Sequence, residues 1–145
     1  MRELWDSNLH WLLTEDAHAI YRDCMYDHSY DAYYRAMSDY IQREQSRCFY
    51  CVQNGKPVGI LVFDLREDGS AEVVGIATHP AHRGEGIGSF MVKEALGVLH
   101  PKKLIVKTDD DAIDFYLKNG FCITKKDIQA YPDGEVFRYT CVLDG

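Results

Sequence analysis

Residues Arg83-Gly84-Glu85-Gly86-Ile87-Gly88-Ser89 set glycine at every second position directly ahead of an apolar helical pattern. Glycine has no Cβ, so other groups can approach its backbone closely and φ can be positive. The first turn of a helix carries amides with no intrahelical acceptor and a partial positive charge. Together these features bind anions, phosphate above all. A nucleotide P-loop needs Gly-Lys-Ser or Gly-Lys-Thr, which this run lacks. The dinucleotide fingerprint G-x-G-x-x-G differs from the G-x-G-x-G spacing here. A tight strand-to-helix turn is the purely architectural use of the same glycines.

The elements that position this loop follow from periodicity. Ala17, Ile20, Tyr21, Cys24 and Met25 form an apolar stripe over 14–27, a helix that Thr14 can cap. Tyr33, Ala36, Met37, Tyr40 and Ile41 repeat the pattern over 31–45. Residues 9–13 read as a short strand. The period then changes: 48–53 is β-rich, Asn54-Gly55 is a hairpin turn, 57–65 is a second strand and 71–78 a third, after a turn at Glu67-Asp68-Gly69. These strands form an antiparallel meander. A helix over 87–98 follows the loop, and Pro101 ends the connection to a nearly all-apolar strand, 104–108. Such composition suits a strand covered on both faces. Strand, loop, helix and strand make a βαβ unit, so 71–78 and 104–108 should run parallel. Asp109-Asp110-Asp111 opens the next helix, where Asp114 and Lys118 suit an i,i+4 pair and Asn119-Gly120 is a stop. Residues 121–129 and 134–143, split by Pro132-Asp133-Gly134, read as a final hairpin.

At 145 residues the chain is one domain, 1–145. A hydrophobic fraction of 46% and a charged fraction of 27% suit a soluble globule. No apolar run approaches the about 20 residues of a membrane span, and the N-terminus lacks a signal-peptide pattern, so a cytoplasmic location without membrane partners is expected. The net charge of -7 argues against a nucleic-acid partner. The five cysteines read as reduced thiols. Cys48-Phe49-Tyr50-Cys51 has the C-x-x-C spacing, but on a strand those thiols point to opposite faces, and no metal is expected.

Arg83-x-x-Gly86-x-Gly88, after a strand and opening a helix, resembles the acetyl-CoA pyrophosphate loop of the GNAT superfamily of N-acetyltransferases. The later DDDAIDFYLKNGF, with Phe115, Tyr116, Gly120 and Phe121, resembles that family's second hallmark. The order of elements is similar too, over almost the whole chain. The implied fold is an α/β (α+β) single domain: a mixed sheet with a meander, a βαβ unit with a splayed central strand pair, and about four flanking helices. The implied function is acetyl-CoA-dependent transfer of an acetyl group directly to a primary amine of a small molecule or peptide, by a monomer or homodimer.

By the resemblance, main-chain amides of Arg83, Gly84, Glu85, Gly86, Ile87, Gly88 and Ser89 hold the pyrophosphate. The Glu85 carboxylate must point outward, and Arg83 either adds charge attraction or faces solvent. The pantetheine arm pairs with Ile76-Ala77-Thr78, and strand 104–108 splays away to admit it. Tyr116 matches the tyrosine placed near the CoA sulfur, where its phenol can donate a proton. Glu72 matches a catalytic glutamate and is the first candidate base, ahead of His79 and His82. Asp109 stands where relatives often carry asparagine on the cofactor arm, and an aspartate cannot donate as an amide does. The acceptor side falls to the first helices and the last hairpin. Tyr30, Tyr33 and Tyr34, among Tyr21, Tyr26 and Tyr40, would give aromatic walls, with Asp23, Asp27, Asp31, Asp39 and His28 around them. Such a pocket favours a cation. The plainer reading is helix core and a wetted face. A CoA-binding sensor or partner-binding module with a degenerate centre is the alternative function. A nucleotide-binding regulator is the third.

Overall fold

The computed structural model describes residues 2–7, 9–25, 27–42, 45–132 and 134–144. Tyr26, Asp133 and the side chains of Cys24 and Tyr40 fall outside it. The chain opens with a strand the sequence does not announce, β1 (Arg2–Ser7). Leu9–Leu13 is a 3-10 helix rather than the expected strand, running directly into the Thr14 cap of α1 (Glu15–Tyr21). Thr14 Oγ1 accepts the Ala17 amide at 3.2 Å. α1 is shorter than its stripe suggests, because the chain tightens into a 3-10 turn at Arg22–Cys24. α2 spans Tyr30–Gln42.

The meander forms as its turns predict: β2 (Ser46–Gln53), β3 (Lys56–Leu65) and β4 (Ala71–Thr78) are antiparallel neighbours. Between β3 and β4 the register shifts after Val62, leaving Val74 as an extra residue in β4. Such a bulge bends the strand. α3 (Ile87–Leu99) leads to β5 (Lys103–Asp109), which runs parallel to β4. α4 (Ile113–Lys118) starts later than the aspartate run, since β5 extends through Asp109. β6 (Cys122–Tyr131) and β7 (Gly134–Asp144) complete one seven-stranded sheet in the order β1-β2-β3-β4-β5-β7-β6.

Each sheet face has its own core. Phe49, Leu61, Phe63, Val73, Met91 and Tyr116 pack beneath α3 and α4. Leu12, Ile20, Tyr33, Met37, Ile60 and Val62 pack beneath α1 and α2. Cys51 belongs to the first cluster and Cys48 to the second, so the C-x-x-C thiols are separated by the sheet. Burial pushes the Cys51 thiol above its ordinary value, as expected of a core residue.

One expectation fails with consequence. β5 is not covered on both faces: Leu104, Val106 and Thr108 are buried, while Lys103 and Lys107 are exposed. On the sheet, α1 packs chiefly on β3 and β4, and on the same side of β5 Lys103 and Lys107 are exposed.

Candidate active site

The glycine loop is built for backbone exposure. His79 Nδ1 accepts the Ala81 amide at 3.0 Å and opens a short 3-10 turn at Pro80–His82. Gly84 and Gly86 then take φ of 80° and 78°. Gly86 is the N-cap of α3 and has no side chain to cap it, so the amides of the first turn stay available. Gly88 serves closeness instead: a Cβ there would lie 2.9 Å from the Phe115 ring, and its absence lets α3 meet α4.

Charges around the loop are held in place. The Glu85 carboxylate accepts from Gln53 Nε2 at 3.0 Å and lies 3.2 Å from His82 Nδ1, while Arg2 donates to the Glu85 carbonyl. The Gln53 hydrogen bond first, then His82, holds this carboxyl below its ordinary value. Glu85 does not line the cavity of about 280 Å³ over the loop; Gly84, Gly86, Gly88 and Ser89 do. Arg83 borders it while its guanidinium reaches Asp23 at 3.0 Å. Lys118 borders the same cavity, bringing a cation from α4 that the sequence offered only as a partner for Asp114.

From the loop the space continues inward. Thr78, Gly88 and Phe115 also border a groove of about 190 Å³ that runs past Ile76 and Ala77 to Tyr116. The β4–β5 pairing ends at Val73–Val106, beside the bulge. Beyond that rung a cavity of about 280 Å³ separates the strands, sharing Ile76, Ala112 and Tyr116 with the groove. Tyr116 is 4% exposed and wedged edge-on between Phe115 and Phe121, with ring centroids 5.0 and 5.3 Å away.

The other predicted residues divide. Asp109 borders the splay cavity, and its Oδ1 accepts main-chain amides of Asp111 at 3.1 Å and Ala112 at 3.3 Å. That carboxylate therefore shapes the approach to α4. Glu72 lies on the last paired rungs of β4, its carboxylate ion-paired with Arg66, and does not border the splay cavity. His79 and His82 are both engaged at the loop. Tyr33 is wholly buried in the α1–α2 core, so it cannot wall a binding pocket; burial raises its phenol strongly. Tyr30 donates to the Leu13 carbonyl and, with Tyr34, lies outside the cavity run.

Among the described tyrosines of the first helices, Tyr21 reaches the splay, where it joins Tyr116. A Cβ on Gly75 would sit 2.5 Å from the Tyr21 hydroxyl oxygen, so that glycine makes room for the ring. Its helical stripe marked Tyr21 as core, and at 8% exposure it is nearly that. The pairing of a strand glycine with a tyrosine from another element leaves no mark in either local pattern.

A family model described as acetyltransferase (GNAT) family matches residues 13–121. No curated protein matches the sequence significantly. Among solved structures, the ribosomal-protein-S18-alanine N-acetyltransferase of Escherichia coli superposes with a TM-score of 0.81 at 20% identity, over 99% of this chain and 94% of its own. A spermidine/spermine N-acetyltransferase of Vibrio cholerae gives 0.72 at 15% identity, over 99% and 92%. An acetyltransferase of Bacillus anthracis, solved with acetyl coenzyme A, gives 0.63 at 18% identity, over 74% and 67%. These likenesses speak to the fold, whereas the match in sequence spans both the glycine loop and the Tyr116 helix. The chain belongs to the acetyltransferase (GNAT) family and is an N-acetyltransferase.

Proposed function

We propose that the protein transfers the acetyl group of acetyl-CoA directly to a primary amine of a small molecule or peptide. The observation that carries this reading is the series of adjoining cavities, linked by shared walls, from the glycine loop along Ile76-Ala77-Thr78 to the splay beside Tyr116. Its parts suit the cosubstrate: a cradle of main-chain amides for the pyrophosphate, a narrow groove beside a strand for the pantetheine arm, and a break in the sheet for the thioester. Neighbours named for a ribosomal-protein alanine and for spermidine and spermine support an amine acceptor.

In this reading the amides of 83–89 and the Lys118 ammonium hold the diphosphate charge. Acetyl-CoA, when bound, supplies an activated acetyl group and a thiol leaving group. A bond forms between the acceptor nitrogen and the acetyl carbon as the carbon–sulfur bond breaks. Tyr116, at the inner end of the groove, gives its phenolic proton to the departing sulfur, and the proton that the newly acylated nitrogen sheds restores the phenol. Main-chain amides at the splay face the carbonyl oxygen, where negative charge grows. The acceptor's own proton must leave first. Glu72 serves as base only by parting from Arg66; Asp109 stands at the cavity wall, held by the amides of Asp111 and Ala112 and lying 3.8 Å from Arg138.

Calorimetry with acetyl-CoA, followed by a thiol-release assay on a panel of primary amines, tests the proposal. Heat on binding and amine-dependent thiol release are expected. Tight binding without turnover across the panel would favour the sensor reading. Thermal stabilisation by ATP or NAD but not by acetyl-CoA would favour a nucleotide regulator.

A further inference from the structure

The cavity run does not stop at the splay. Lys107 and Arg138, which border the splay cavity, also border a cavity of about 390 Å³ walled by β5, β7 and β6. On this side of β5, Lys103 and Lys107 are exposed. The path thus crosses the sheet: the glycine loop lies at one end, and a solvent-facing hollow lies at the other.

The hollow is cationic, against the grain of a chain with net charge -7. Lys107, Lys125 and Arg138 border it, with Asp127 as the carboxylate among its walls. Asp127 is spoken for by Lys125 at 3.4 Å. Arg138 forms a long ion pair with Asp109, 3.8 Å apart and beyond hydrogen-bond reach, which leaves its donors to other acceptors. Lys107 is exposed and forms no ion pair among the described residues. The planar Arg138 guanidinium matches a carboxylate in bidentate fashion, and the Lys107 ammonium on the same cavity walls adds a point charge.

We propose that the acceptor is an amine that also carries a carboxylate, an amino acid or acidic peptide in chemical class. Its amine enters the splay toward Tyr116 and Asp109, and its carboxylate rests on Lys107 and Arg138. This reverses the preference for a cationic acceptor drawn from the acidic helices. Part of that acidity is used elsewhere: Asp23 binds Arg83, and Asp27 accepts the Ser29 amide at 2.9 Å. The inference rests on the acetyl-CoA reading above.

The test needs no known acceptor. CoA is joined through an S-acetyl linker to amines with arms of graded length, each ending in a carboxylate or the matching carboxamide. Their affinities are measured by calorimetry against CoA alone. At the best arm length the carboxylate should bind about tenfold more tightly than its carboxamide, the gain of one good charge-assisted contact. Lys107→Gln and Arg138→Gln should each shrink that ratio while leaving the affinity for CoA itself unchanged. Equal affinities of acid and amide at every length, or a preference for the amide, overturn this inference while leaving the cosubstrate reading intact. Failure of CoA and all conjugates to bind a folded protein overturns the cosubstrate reading, and this inference with it.

Discussion

Aromatic packing holds the Tyr116 ring at the inner end of the groove. Two aromatic rings grip it edge-on, and it borders both the groove and the splay. Tyr116→Phe keeps the ring packing and removes the hydroxyl. We expect kcat to fall about a hundredfold, the lower end for a general acid, with CoA affinity little changed. An unchanged kcat would remove Tyr116 as the acid. Tyr33 makes the opposite case: its hydroxyl is buried with no hydrogen-bond partner among the described residues. Tyr33→Phe relieves a desolvated polar group and should raise stability by about 1 kcal/mol, readable in urea unfolding. Glu85 gives a pH signature. Its carboxyl is lowered in the folded protein by Gln53 and His82, so its stabilisation is present above the ordinary carboxylate range and fades as pH falls through it. The melting temperature of Glu85→Gln should therefore fall less on acidification than that of the parent.

At the scale of elements, the site depends on where α3 begins. Gly86 holds a left-handed φ at the N-cap, and Gly88 brings the first turn against Phe115. Gly86→Glu adds strain, bulk and a negative charge where a diphosphate is to sit, and should abolish acetyl-CoA binding in calorimetry. Normal affinity would contradict the placement of the loop. Gly88→Ala forces α3 from α4 and should cost about 1–3 kcal/mol of stability, as overpacking does. Acetyl-CoA affinity should weaken with it, because the same contact sets the width of the groove.

For the whole molecule, the sheet divides into a covered half and an open half. β3 is buried along most of its length between two cores, whereas β6 is exposed throughout. Hydrogen exchange should show its slowest amides in β3 and its fastest strand amides in β6. Equal protection of the two would show that the final hairpin is docked on something more than β5. The same division gives the cavity run its two ends, since helices over the β5–β7 face would close the hollow near Lys107.

Local sequence fixes much of this architecture for plain physical reasons. Asn54-Gly55 can turn a hairpin because both residues take positive φ, and they do so here at 53° and 80°. The glycine loop declares itself because only glycine tolerates Gly84 and Gly86 conformations cheaply. The α2 stripe sets its buried side through Tyr33 and Met37, whereas the period that buries Ile87, Met91 and Ala95 on α3 would also bury Val98, which is exposed near the helix end; the loop, Phe115 and Tyr116 carry the family likeness. Tertiary structure alone decides the rest. An apolar run such as 104–108 cannot say how far a neighbouring helix pair extends, so it cannot tell one covered face from two. Nor can a side chain's spacing say what it touches across the sheet: Tyr33 goes to core, Tyr21 to the splay, Glu72 to Arg66, and Lys107 with Arg138 to one hollow. Periodicity is a property of neighbours in the chain, whereas a site is made by residues brought together from distant strands and helices.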